Sequence, residues 1–197
     1  MTLERSPDRD AALRAMLPHV ANHGWRQAAL VAAGVHRLDA ELLFPGGTPD
    51  LLEAWCDLSD RDMEAAAIAQ GVAGQRLSQR VRTLISLRLA NAGPHKDAAR
   101  RAMGLFARPS YAPLAASCTA RSVDAIWHAA GETSADFSWY SKRAILGGVW
   151  TSTLLFWLAN DDDATLAFLD RRLAGVAQIG KLRGRVEGAL ARLRPAA

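Results

Sequence analysis

His19 and His23 stand four residues apart, an interval that places two imidazoles on one helix face and could hold a metal ion. Pro18 precedes the first of them and no ExxH or HExxH pattern surrounds either, so no metal centre is expected there. Asp124 and His128 share a face by the same interval, but a di-iron site needs several such ligands. Cys56 and Cys118 lack CxxC spacing and are expected as buried or free thiols of a reducing compartment. No GxSxG, P-loop, GxGxxG or Cys/His nucleophile arrangement occurs. The catalytic set is therefore empty: no enzyme activity, cofactor or metal is expected.

What remains is chemistry of binding. Trp139, Tyr140, Lys142 and Arg143 follow Asp136 within one short stretch. Trp139 and Arg143 are four apart, close enough on a helix for a cation to stack on a ring. Exposed Trp, Tyr and Arg together make the composition of an interface hot spot, while the same residues also make an ordinary helix start.

Behind them, residues 144–160 are uncharged, and the run holds Trp150 and Trp157. Seventeen helical residues reach about 25 Å, short for a bilayer, and Gly147, Gly148, Thr151, Ser152 and Thr153 interrupt the apolar run. A buried helix is expected. Its glycines either open a cavity or let two helices pack closely, and spacing alone leaves both open.

After "NDDD" (160–163), Leu166, Leu169, Leu173 and Val176 recur at three- and four-residue steps, with Phe168 at the edge and Arg172 at the apolar boundary. Such a helix packs on a core or lies in a membrane interface. The tail from Lys181 to Arg194 is basic, which favours anionic headgroups.

These segments sit in a chain of 197 residues with net charge +4, half of it apolar and 22% charged, as in ordinary globular domains. The charge is divided. Residues 1–70 hold six Lys/Arg against eleven Asp/Glu, whereas residues 76–108 hold eight against one. The start, "MTLERSPDRD", mixes both signs without an apolar stretch, so no signal peptide is expected.

No window alternates in the manner of a strand, and Ala, Leu and Arg are abundant, so the class is all-α. Helices are expected at about 8–23, 26–33, 38–44, 49–69, 77–89, 94–106, 114–130, 139–159 and 164–179. Residues 26–44, with Gly34 in the turn, are similar to the helix-turn-helix of TetR-type repressors. The would-be recognition helix carries Arg37 but also Asp39 and Glu41, a poor match to phosphate. A ligand-sensing DNA-binding regulator is the alternative function, and nucleic acid is not expected as a partner.

The segment "SVDAIWHAAGETSADFSWYSKRAILGGVWTSTLLFWLANDDDATLAFLDRRL" (122–173) resembles the ubiquinone-biosynthesis accessory proteins, the ninth member of the Coq set. The Asp-Phe-x-Trp-Tyr-x-x-Arg element carries the resemblance. It implies a TetR-like bundle: a degenerate helix-turn-helix-like subdomain over 1–48, a lipid-binding core over 49–162, and an amphipathic membrane-associating helix with basic tail over 163–197. It also implies a partner, a di-iron demethoxyubiquinone hydroxylase, meeting Asp136, Trp139, Tyr140 and Arg143. An isoprenoid or phospholipid would rest among Trp127, Gly147, Trp150, Leu154 and Trp157. Leu166, Phe168, Leu169, Arg172, Leu173 and Val176 would touch the membrane. The implied location is the inner face of the cell membrane, or the matrix side of the mitochondrial inner membrane, and repressor-like architecture implies a homodimer.

Overall fold

Prolines and glycines divide the chain into helices much as their backbone preferences require. Ser6 caps the first, its Oγ accepting from the Arg9 N–H at 3.2 Å, and Pro7 stands at the first helical position. The expected helix over 8–23 is broken: α1 (Pro7–Met16) gives way to a 3₁₀ turn containing Pro18, then α2 (Val20–His23). Gly24 ends α2 at φ +70°, in the region that glycine alone adopts easily. The short pair α3 (Gln27–Ala32) and α4 (Arg37–Leu43) meets at Gly34, φ +92°.

The rest is α5 (Thr48–Ala69), α6 (Leu77–Ala92), α7 (Lys96–Phe106), α8 (Ala112–Ala129), α9 (Trp139–Ala159) and α10 (162–176). The computed structural model describes residues 5–131 and 139–176, and among these there is no strand. Asp136 and the basic tail from Lys181 lie outside the described residues, as do the side chains of Trp139 and Tyr140.

α5 is the axis of the bundle, packed by α6 and α8 and touched by α1. It is buried almost all round: Leu51, Leu52, Trp55, Leu58 and Met63 are apolar core, yet Asp50, Asp57 and Asp60 are buried too. Each acid meets a cation from another part of the chain or the next turn. Arg9 Nη2 donates to Asp50 at 2.5 Å, Arg5 and Arg61 hold Asp57 at 2.5 and 2.9 Å, and Arg88 holds Asp60 at 2.8 Å. These three acids of the first seventy residues are therefore paired in the interior and add nothing to a surface field. Buried carboxylates persist only when matched in this way.

α9 shows why its long apolar run need not cross a bilayer. Leu146, Val149, Trp150, Thr153 and Trp157 are buried at three- and four-residue steps, while Ile145, Gly148 and Leu155 face outward. Among the described residues no helix is long and apolar enough to cross a membrane. Thr153 hides its hydroxyl by donating to the Val149 carbonyl at 2.7 Å.

Candidate functional site

Between α5, α6, α7, α8 and α9 lies a cavity of about 300 Å³ with a mainly apolar wall. α9 supplies Trp150, Leu154 and Trp157, three of the five residues assigned to a lipid site from sequence. Leu155, more than half exposed, stands at its edge. The other two assignments require correction. Gly147 does not line the cavity: it faces Val123 of α8, which a side chain there would meet at an ordinary contact of 3.6 Å. Trp127 is half-buried against the core, away from the cavity wall.

The opposite wall was not anticipated. It contains Trp55, Cys56, Arg88, Cys118 and Ser122. Arg88 is 4% exposed. Its Nε donates to Asp60 at 2.8 Å, and Ser122 Oγ donates to the same carboxylate at 2.9 Å. The guanidinium lies 5.9 Å from the Trp55 ring centre and 5.6 Å from that of Trp150. Burial pushes the Asp60 carboxyl up, and Arg88 and Ser122 oppose that push. The pair is thus a neutral, ring-covered floor beneath an apolar space. One cue existed in the sequence: Arg88 is a lone cation inside the apolar run "LISLRLA" (84–90).

The two cysteines are free, buried and beside one another across α5 and α8. Their hydrogen bond splits them, since the donor keeps its proton and the acceptor gains by losing its own. It raises the Cys56 thiol well above its ordinary value, helped by burial. It lowers Cys118, and Arg121, 3.4 Å from that sulfur, lowers it further. Cys118 should therefore react with iodoacetamide before Cys56. A ligand in the cavity should slow that reaction by about tenfold or more, because access to the thiolate runs through the cavity. Mass spectrometry of the alkylated peptides with and without ligand measures both effects.

Arg143 pairs with Asp124, which ties the start of α9 to α8. α10 is capped by Asp161, the residue before it, whose carboxylate accepts from the Ala164 N–H at 2.7 Å. Its leucine stripe faces inward in this structure. Leu169 is fully buried, Leu173 and Val176 pack on the core, and Leu166 is half-buried. Phe168 stacks on Phe156 of α9 at 4.3 Å, and Arg172 Nε donates to Ser152 at 3.3 Å. Arg82 of α6 holds Asp170 at 2.5 Å. A stripe read as a membrane face is also a core face, and here α6 and α9 offer it a dry surface.

Residues 112–180 match the COQ9 family model, a span that holds α8, α9 and α10. Over that span the chain is similar to COQ9. Among curated proteins it is 28% identical over 181 residues to the mitochondrial ubiquinone biosynthesis protein COQ9 of Rattus norvegicus, with 85% of this chain and 58% of that protein covered. The COQ9-B protein of Xenopus laevis is 29% identical, with 85% and 62% covered. The Homo sapiens COQ9 is 27% identical, with 85% and 57% covered. The chain thus spans about three fifths of the length of these COQ9 proteins. By fold it matches a TetR transcriptional regulator from Nitrosomonas europaea, TM-score 0.72 at 22% identity, over 88% of this chain and 99% of that one. The fatty acid degradation regulator FadR from Bacillus halodurans follows at 0.57 and 17% identity, over 87% and 97%. The fold is therefore TetR-like as well as all-α. In α4, Arg37 is held by Glu41 at 3.1 Å, so the one cation at the start of that helix is engaged by a carboxylate.

Proposed function

We infer that this COQ9-like chain acts in ubiquinone biosynthesis by holding an isoprenoid quinone intermediate and offering it to the enzyme that modifies its ring. The observation that carries this reading is the apolar cavity, half of whose lining comes from α8 and α9, in the part of the chain that matches COQ9. At about 300 Å³ it lies at the lower limit of small-molecule sites. Such a volume takes a ring or a short piece of tail, and the remainder of a polyprenyl chain would leave past Leu155. The chemical reason for such a protein is solubility: burial of each CH₂ is worth about 0.8 kcal/mol, so a free prenyl tail stays in the bilayer.

In this reading the chain is not an enzyme, and its partner is the di-iron hydroxylase acting on demethoxyubiquinone. The partner would dock at the start of α9, through Asp136, Trp139, Tyr140 and Arg143. Attachment to the membrane is peripheral, on the inner face of the cell membrane or its mitochondrial counterpart. Contact through the leucines of α10 would require that helix to leave α6 and α9 first.

Ala115, half-buried on α8, lines the cavity, and Ala115→Trp would fill it. Lipid recovered by organic extraction and mass spectrometry should fall by about tenfold or more, whereas the thermal midpoint holds or rises as the empty space is lost. Undiminished quinone lipid in this variant would remove the cavity from the proposal.

A further inference from the structure

A basic groove of about 500 Å³ lies on the other side of α7 from the apolar cavity. α7 divides two environments. Ala99, Met103 and Phe106 face the apolar cavity, while Arg101, Gly104 and Arg108 face the groove. Arg101 and Gly104, three apart, share one face of α7, and Arg108 follows two residues past its end in extended backbone. The facing wall is the end of α2 with Asn22 and His23 and the turn after it with Gly24 and Arg26, and Tyr111 also lines the groove.

Arg26, Arg101 and Arg108 converge here and no aspartate or glutamate lines the groove. Among the described residues none of the three has a carboxylate partner. Other cations of α7 are engaged differently. Lys96 donates to the Asn160 carbonyl, and Arg100 meets Asp97 and the Leu158 carbonyl, so both close the C-terminal end of α9. Three like charges facing one concavity repel each other unless an anion sits between them.

Gly24 is set by its φ of +70°, but Gly104, within a helix, needs no glycine for its backbone. A side chain added at Gly24 or at Gly104 would meet no atom within 4 Å. Gly104 lies inside α7, where glycine weakens the helix by about 1 kcal/mol relative to alanine. An empty position at that place is what a bound group in the groove would require.

We propose that this groove binds a phosphate-bearing anion, a phosphomonoester or diphosphate, held between Arg26, Arg101 and Arg108. Guanidinium forks match phosphate oxygens two at a time, and Asn22 and Tyr111 add neutral donors at the edge. The same group can come from a soluble metabolite or from a lipid headgroup. The proposal does not rest on the quinone reading, since it concerns a different face of α7 and a different ligand chemistry.

The test titrates the full chain with inorganic pyrophosphate by calorimetry, and separately floats it with phosphatidylcholine vesicles with and without phosphatidic acid. The double variant Arg101→Ala/Arg108→Ala removes charge, and Gly104→Leu fills the groove with charge unchanged. Pyrophosphate should bind at one site, and both variants should weaken it by about tenfold or more. Vesicle binding that needs phosphatidic acid and is lost in both variants, without pyrophosphate binding, supports the same chemistry on a lipid. No binding in either arm overturns the proposal. So does binding that Gly104→Leu leaves intact, because that is diffuse surface charge and not a groove. Helical content by circular dichroism checks that both variants are folded.

Discussion

Arg88→Met should lower the unfolding free energy by about 3–5 kcal/mol, the range for breaking a buried ion pair from one side. Both partners are dry: the Arg88 and Asp60 side chains are 5% and 8% exposed. Once the guanidinium is gone, Asp60 keeps only the Ser122 hydroxyl against the cost of burial. The loss should shrink on acidification. Burial already raises the Asp60 carboxyl, and without Arg88 nothing of that size opposes it. A carboxyl with a raised folded-state pKa contributes stability below its ordinary value, and that contribution fades as pH rises through the folded value. The variant should therefore fall furthest behind the native chain at neutral pH. Arg88→Met/Asp60→Leu should recover most of the loss, since an apolar pair of similar volume is often neutral or better. Arg5→Ala is the contrast. Arg5 is 62% exposed at its bridge to Asp57, and its loss should cost less than about 1 kcal/mol. Urea unfolding of the four proteins at two pH values decides the matter. Equal effects of Arg88→Met and Arg5→Ala would mean that water reaches the Asp60 pair.

The same buried pairs explain which parts of this protein were legible in its sequence. Helix periodicity and glycine–proline punctuation are local, so α5, α8 and α9 stand within two residues of expectation. The break at Pro18 is local too, but the helical residues around it hid it. Trp150, Leu154 and Trp157 were legible as a wall because they repeat on one face of one helix. Arg88, Ser122, Trp55 and the cysteines belong to three other helices, and nothing in linear spacing says that they meet. Gly147 illustrates the remaining ambiguity. A missing side chain reads equally as space for a ligand or as room for a neighbour, and only the fold shows that this one faces Val123 and not the cavity. Charge totals hide burial for a similar reason: nothing in the count shows that Arg9 is buried between Asp50, the Leu43 carbonyl and the Phe44 ring.

α10 raises the same question in a form that one substitution can answer. A leucine that rests in lipid adds nothing to stability in a solution free of membranes, whereas a leucine packed in a core does. Leu169 is fully buried in the docked helix, beside the stacked Phe156 and Phe168 and the Arg82–Asp170 bridge. Leu169→Ala should therefore cost about 2–5 kcal/mol without any vesicle present. It should also speed tryptic cleavage after Arg171 and Arg172, because cleavage needs the local helix to open. Opening is the step that membrane attachment through the leucine face would need as well. In the docked state the substitution loses both the transfer energy of three carbons and the packing around them. A leucine in lipid loses the transfer energy alone, since acyl chains close over the gap. The variant should accordingly shift α10 away from the core more than it weakens its hold on a bilayer. Flotation with anionic vesicles should hold or rise while stability in solution falls. A fall in flotation with unchanged solution stability would mean that Leu169 spends its time in lipid, and the docked arrangement would then be the minor one.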